Sequence, residues 1–152
     1  MQLKYAADTD VPVHRSRTEI QELILRFGVT KFGTMMEAGC EQFAFETKGR
    51  RYRFRVIDPP NDHPYVTRTP TGKPRPTYNQ AEAWEKLRRV LWRTLVLSIK
   101  ARLAEVELGM TSFEDAFLAE TILPSGQTVA EATKETIALA YQGRDVPLLP
   151  PA

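Results

Sequence analysis

Hydrophobic and polar residues alternate along residues 40–57, and this alternation predicts a β-hairpin with two chemically different faces. Lys48 and Gly49 suit a two-residue hairpin turn, which would fix the register of the two strands. The aromatic side chains would then share the core face, and the arginines of the second strand would share the other. The predicted cross-strand pairs are Phe45 with Tyr52, Phe43 with Phe54, and Glu46 with Arg51.

Apolar residues recur every three or four positions in two other stretches, and this period predicts amphipathic helices. The first helix follows a polar connection at 8–17, and the second, of about 80–108, is the longest element of the chain. The stripe predicted to be buried on the long helix comprises Trp84, Leu87, Leu91, Leu95 and Ile99, widened by Trp92, Val96, Leu103 and Val106.

Ser, Thr or Asn followed three residues later by Glu or Gln is typical of a helix start. The candidate caps are Ser16 or Thr18 for the first helix, Asn79 for the long helix, Thr111 for a short helix, and Thr128 with Glu131 for a last helix through Ala140. Strands are predicted at 30–36 and 3–7, and the proline-rich tail at 146–152 is predicted to be extended.

Together these elements predict an α+β fold, an antiparallel sheet of three to four strands with one face covered by the long helix, plus small C-terminal helices. The 152 residues suit a single domain, 1–152. Within it, 58–79 forms a long proline-rich basic loop that is neither strand nor helix. Residues 110–152 form a helical appendage packed on the same core. The uncovered sheet face would meet solvent, and the hairpin arginines point there.

Charge and cysteine content narrow the class of protein only modestly. The formal net charge is +2, so the distribution of charge has to identify any nucleic-acid binder. The single cysteine, Cys40, excludes an internal disulfide and a cysteine-based zinc site, and is expected to be buried. Arg93 and Lys100 interrupt the longest apolar stretch, that of the long helix, which argues against a membrane-spanning segment. The first ten residues, MQLKYAADTD, contain no apolar run followed by a cleavage site, so no secretory signal is expected. A cytoplasmic protein without a membrane partner is expected.

Three arginines on the outer face of the hairpin carry the functional prediction. Arg51, Arg53 and Arg55 would rise by about 6.5–7 Å per step, close to the spacing of phosphates along an extended strand. Guanidinium groups bind phosphate bidentately and stack on bases. The predicted nucleic-acid-binding residues are Lys48, Arg50, Arg51, Arg53 and Arg55 of the hairpin and Arg68, Lys73 and Arg75 of the proline-rich loop. A solvated face or an oligomer interface is the alternative interpretation.

An enzymatic interpretation has weaker support. Glu46 and Lys48, with Glu37 and Glu22, resemble the carboxylate and lysine pattern of metal-dependent nucleases, in which carboxylates hold Mg²⁺. However, Lys48 falls in the predicted turn and no Pro-Asp precedes the triplet. The histidines are isolated in predicted loops, without the spacing of a zinc site or a catalytic triad. A protein without catalytic residues, metal or cofactor is therefore expected.

Four stretches of the chain resemble a family of small bacteriophage and prophage proteins. They read YAADTDVPVHRSRTEI, FAFETKGRRYRFRV, RTLVLSIKARLAEVELGMTSFEDAF and LPSGQTVAE. The resemblance implies an accessory protein of the host bacterial cytoplasm that manages DNA or counters host defence. The function expected is non-enzymatic binding of single-stranded nucleic acid or of the phosphate backbone, without sequence specificity. The alternative is an oligomeric anti-defence protein that binds a host protein or sequesters a nucleotide signal.

Overall fold

A three-stranded antiparallel sheet and a long helix form the centre of the protein, in a computed structural model that describes residues 6–145 and Pro147. The strands lie in the order β1-β2-β3. In chain order the elements are α1 (Val13–Leu25), β1 (Lys31–Glu37), β2 (Cys40–Thr47), β3 (Arg50–Ile57), α2 (Pro64–Thr67), α3 (Thr77–Glu107), α4 (Phe113–Ala116), a 3₁₀ turn (Leu118–Glu120) and α5 (Val129–Tyr141). The predicted α+β class is confirmed.

The hairpin of β2 and β3 has the predicted register. Lys48 and Gly49 adopt φ of 49° and 76°, which is the turn geometry that matches the twist of the flanking strands. All three predicted cross-strand pairs are present. The aromatic rings stack on the inner face, with centroids 4.9 Å apart for Phe43 and Phe54 and 5.1 Å apart for Phe45 and Tyr52. Period-two alternation therefore determines which side chains form the core.

Helices α1 and α3 cover this inner face. The buried residues of α3 are Ala83, Leu87, Val90, Trp92, Val96, Ile99 and Leu103. The predicted stripe is wrong at Leu91, which is 36% exposed, because the helix also packs against α1 and α2 and its buried face is rotated towards Val90. Within the described residues, no helix combines the length and the apolar composition needed to cross a membrane.

Three of the helix starts were predicted wrongly. The first helix begins at Val13 after Pro12, so that Ser16 and Thr18 lie inside it, and the long helix begins at Thr77 after Pro76. A proline at the cap has φ fixed near the helical value and loses no hydrogen bond there, so a prolyl residue replaces the expected Ser, Thr or Asn. Ser112 rather than Thr111 caps α4. The capping box of Thr128 and Glu131 is confirmed.

The proline-rich segment is more ordered than predicted. Residues 64–67 form the helix α2, which packs on α3. Val66 of this helix is buried, with 2% of its surface exposed. Arg68 and Pro74 form an isolated β-bridge that closes the rest of the segment on itself. The expectation of no helix at 58–79 is therefore wrong, because a proline at the first helical position lacks only an amide that would be unpaired there.

The two predictions for the chain ends fall mostly outside the described residues. Of the strand predicted at 3–7, only Ala6 and Ala7 are described, and they lie in a bend and turn. Of the extended tail predicted at 146–152, only Pro147 is described.

The C-terminal appendage joins the core through two phenylalanines. Phe113 and Phe117 are buried against the rings of Tyr52 and Phe54. The chain then crosses the free edge of β3, where the amide of Ile122 donates to the carbonyl of Arg51 at 2.7 Å. This crossing brings the first turn of α5 next to the outer face of the sheet.

Candidate nucleic-acid interface

The outer sheet face carries the hairpin arginines, but an acid from α5 contacts two of them. Arg53 Nη2 lies 2.6 Å from Glu131 Oε2, and Arg55 Nη1 lies 3.7 Å from Glu131 Oε1. The side chain of Arg53 is 24% exposed. Alternation directs the arginines outward as predicted, yet the row of three free arginines is reduced to Arg51.

The capping box of α5 positions this acid. The Thr128 amide donates to Glu131 Oε2 at 2.8 Å, and the Thr128 hydroxyl accepts from the Glu131 amide at 3.2 Å. The Thr128 amide and then Arg53 hold the pKa of the Glu131 carboxyl below its ordinary value of 4.5, against the opposing effect of burial. The carboxylate is therefore ionised at neutral pH, and a local helix-capping motif also neutralises part of the arginine row.

The lowered pKa of Glu131 predicts a pH-dependent contribution to stability. A depressed folded-state pKa adds stability above the ordinary carboxyl pKa, and that stability is lost as pH falls through the folded value. Glu131→Gln is expected to lower the free energy of unfolding at pH 7 by up to about 1 kcal/mol, because the pair is partly exposed. Urea unfolding at pH 7 and at about pH 3 measures this. A wild-type to variant difference that is equally large at both pH values would contradict the assignment.

Three cations at the end of the hairpin remain uncompensated. Lys48, Arg50 and Arg51 are exposed, and none of them forms an ion pair with any residue in the described part of the chain. Glu46 lies opposite Arg51 as predicted, but its carboxylate pairs with Lys31 Nζ at 3.5 Å. We call Lys48, Arg50 and Arg51 the tip cluster.

A groove of about 530 Å³ runs along the outer face beside the tip cluster. Gly33 and Ala44 face each other across β1 and β2 and form part of its floor, since their small side chains leave the sheet surface uncovered. Met35, which is 55% exposed, adds apolar surface. Arg51 and Arg53 line the groove on the β3 side. The result is an apolar trough bordered by guanidinium groups.

The loop cations lie at the other end of the hairpin. The loop leaves β3 after Ile57, which pairs with Cys40, whereas the tip cluster flanks the turn at Lys48; seven residues of strand separate these ends by roughly 23 Å. Arg75 Nη2 donates to the Arg68 carbonyl at 3.1 Å, and Arg68 Nη1 donates to the Gly72 carbonyl at 3.2 Å. Lys73 is exposed. The loop arginines therefore stabilise the loop itself, and the predicted residues do not form one compact site.

The carboxylates of the nuclease-like pattern are not brought together. In the strand register Glu46 lies opposite Lys31 and Glu37 lies opposite Cys40. The two glutamates are therefore at opposite ends of the β1–β2 ladder, roughly 20 Å apart. Across residues 6–145 and Pro147, no three His, Cys, Asp or Glu side chains are placed to hold a metal ion. His63 Nδ1 accepts a hydrogen bond from the Tyr65 amide at 3.1 Å, so His63 caps α2 and, among the residues described, does not join a metal or catalytic cluster.

Sequence reasoning missed the groove and the role of Glu131. The groove could have been found by extending the hairpin register to β1, because that step places Gly33 opposite Ala44. Glu131 gave only a helix-capping signal, since its contact with Arg53 spans 78 residues of chain.

Comparisons with known proteins add no relative. No protein-family model matches the chain, and neither a curated protein nor a solved structure matches it significantly. The residues of the outer face themselves therefore carry the functional interpretation.

Proposed function

We propose that the protein binds single-stranded nucleic acid along the outer sheet face, without catalysing a reaction on it. The observation that carries this proposal is the uncompensated tip cluster beside the apolar groove. Phosphates would contact Arg51 and Lys48, and Arg50, which shares its strand face with Tyr52, would add positive charge at the turn. Sugars or bases would rest on the groove floor. An extended single strand fits this arrangement, because its apolar base faces are accessible while its phosphates stay at the edge.

Binding of this kind would be largely independent of sequence. The hairpin rings Phe43, Phe45, Tyr52 and Phe54 all face the core, so they are not available as stacking platforms. The floor residues Gly33, Ala44 and Met35 are apolar. The polar Gln42 and Glu46 that also line the groove are engaged, Gln42 Nε2 donating to Glu37 at 3.2 Å and Glu46 pairing with Lys31. The phage origin that the sequence resemblance implies is itself part of this proposal, in which the protein handles nucleic acid inside an infected bacterial cell.

Charge reversal of the tip cluster tests the proposal. The variant carrying Lys48→Glu, Arg50→Glu and Arg51→Glu should bind a fluorescent oligothymidylate at least about tenfold more weakly than wild type at low salt, because three positive charges beside the groove become negative. Fluorescence anisotropy measures the affinity, and circular dichroism verifies the fold. Arg53 and Arg55 are left unchanged, since their replacement would also break the contact with Glu131.

A matched control separates location from net charge. Arg15, Arg26 and Lys134 are exposed and, like the tip cluster, form no ion pair with residues of the described chain. Reversing these three changes the net charge by the same amount and should change the affinity by less than about threefold. Equal losses in both variants, or no binding by the wild-type protein, would refute an interface at the tip cluster.

A second candidate function is an oligomeric module that binds a host defence protein or holds a nucleotide signal. The exposed apolar side of α5 favours it, because none of that helix's residues is buried within the described part of the chain and Tyr141 is 91% exposed. Salt dependence distinguishes the two functions. Affinity for nucleic acid should fall linearly on a log–log plot against salt concentration, whereas association through an apolar helix face should change little.

A further inference from the structure

The strand β1 has a free edge whose central residues carry none of the usual protection against pairing. The described chain places β2 on one side of β1 and no strand on the other. Six of its seven residues are exposed, and Met36 is 71% exposed. Edge strands are commonly protected by proline, bulges or central charges, but residues 32–36 contain no proline and no charge. The edge is therefore competent to pair with another strand.

The hydrogen-bond pattern shows which backbone groups of β1 point to this edge. The Asp58 amide donates to the Gly39 carbonyl at 2.9 Å, so the odd-numbered residues of β2 bond to β3 and the even-numbered ones to β1. Even residues of β2 lie opposite odd residues of β1. The amide and carbonyl groups of Phe32, Thr34 and Met36 are consequently directed outward.

We propose that β1 pairs antiparallel with β1 of a second copy of this chain, about a two-fold axis at Thr34. In this register each outward-directed amide and carbonyl of Phe32, Thr34 and Met36 meets a hydrogen-bonding partner, because these even-numbered residues lie opposite one another across the axis. The pairs are Thr34 with the partner's Thr34, Phe32 with the partner's Met36, Gly33 with the partner's Met35, and Lys31 with the partner's Glu37.

The side chains of β1 are self-complementary in this register and in no neighbouring one. Lys31 and Glu37, at the two ends of the strand, are equidistant from Thr34, so the axis creates two ion pairs of opposite charge. The partner's Met35 lies beside Gly33, where no atom stands within 4 Å of the position that a Cβ would take, and it would extend the apolar floor of the outer groove. Moving the axis to Phe32 or Met36 would take Lys31 away from the partner's Glu37, so neither ion pair could form.

The inner face offers room for the same contact. A groove of about 430 Å³ lies between α1 and β1, and Phe32, Thr34 and Met36 line it together with His14 and Gln21 of α1. The partner's Met36 would lie beside Phe32 and fill part of this groove with an apolar side chain. The dimer would thus have a continuous six-stranded sheet whose two outer faces lie on the same side. This inference does not depend on nucleic-acid binding.

Charge exchange between two variants tests the register. Lys31→Glu alone and Glu37→Lys alone each place like charges opposite each other twice per dimer, so each should weaken dimerisation about tenfold or more. An equimolar mixture of the two variants should recover the dimer, because every carboxylate in the mixed pair again faces an ammonium group. Sedimentation equilibrium without nucleic acid measures the mass against the 17.3 kDa of one chain.

Thr34→Pro supplies an independent control for the edge itself. It removes an outward amide and leaves the β1–β2 hydrogen bonds intact, so the variant should be a folded monomer by sedimentation and circular dichroism. A wild-type protein that stays monomeric at the concentrations used for NMR would overturn the inference. So would a Thr34→Pro dimer, or single charge variants that dimerise like wild type.

Discussion

Replacing Phe117 with alanine is expected to lower the free energy of unfolding by about 4 kcal/mol. The ring is fully buried, and its centroid lies 4.8 Å from that of Phe113 and 6.0 Å from that of Phe54. The Arg102 guanidinium also lies 5.5 Å from the ring centroid. Truncation would leave a cavity where the C-terminal appendage joins the sheet.

The neighbouring residue supplies the control for this prediction. Leu118 is 53% exposed, so Leu118→Ala should change the free energy of unfolding by no more than about 0.5 kcal/mol. Urea denaturation followed by tryptophan fluorescence measures both variants. Similar midpoints for Phe117→Ala and wild type would mean that the appendage is not packed on the aromatic core.

Glu41→Gln is expected to lower the free energy of unfolding by about 3 kcal/mol. The side chain of Glu41 is only 9% exposed, and its carboxylate pairs with both Arg17 and Arg88. Arg17 also lies over the ring of Trp92, with 5.2 Å between the guanidinium carbon and the ring centroid. Glutamine keeps the shape but leaves Arg17 facing a neutral amide and Arg88 with only its contact to Asp58 at 2.9 Å, and this loss of compensating charge destabilises the fold.

A second carboxylate of the same strand provides the comparison. Glu46 makes a single exposed ion pair with Lys31 at 3.5 Å, so Glu46→Gln should shift the free energy of unfolding by about 0.5 kcal/mol or less. Thermal and urea unfolding of the two variants at equal ionic strength distinguish them. Equal destabilisation by both replacements would show that Glu41 is not the centre of an ion network between α1, α3 and the sheet.

The features that the sequence predicted correctly depend on residues close together in the chain. The hairpin register follows from period-two alternation and a turn at Lys48 and Gly49 that only one pairing satisfies. The capping box of Thr128 and Glu131 likewise joins two residues only three positions apart. Both were predictable because local geometry alone determines them.

The errors at the helix starts have a tertiary cause. Ser16 matches a capping residue locally, but it is fully buried within α1, and the helix begins after Pro12 instead. Packing of α1 against α3 extends the helix beyond the point that capping preference selects. Pro76 likewise replaces the expected cap at Asn79.

For the candidate site, the sequence predicted which way the β3 arginines point, but not how much of their charge is neutralised by acids. Alternation places Arg51, Arg53 and Arg55 on the outer face, and the strand geometry leaves no other choice. Their free charge depends on α5, because Glu131 reaches Arg53 only after the chain has folded back over β3. A charge pattern read from one hairpin therefore overestimates the exposed positive charge of the folded protein.

Backbone amide shifts on titration with oligothymidylate test the central claim most directly, because they report where on the protein the strand lies. The account predicts that the largest changes occur at Gly33, at Ala44 and across residues 48–53, and that the loop at 68–75 changes little. Changes confined to 68–75, or to the inner face between α1 and β1, would contradict an interface on the outer sheet face.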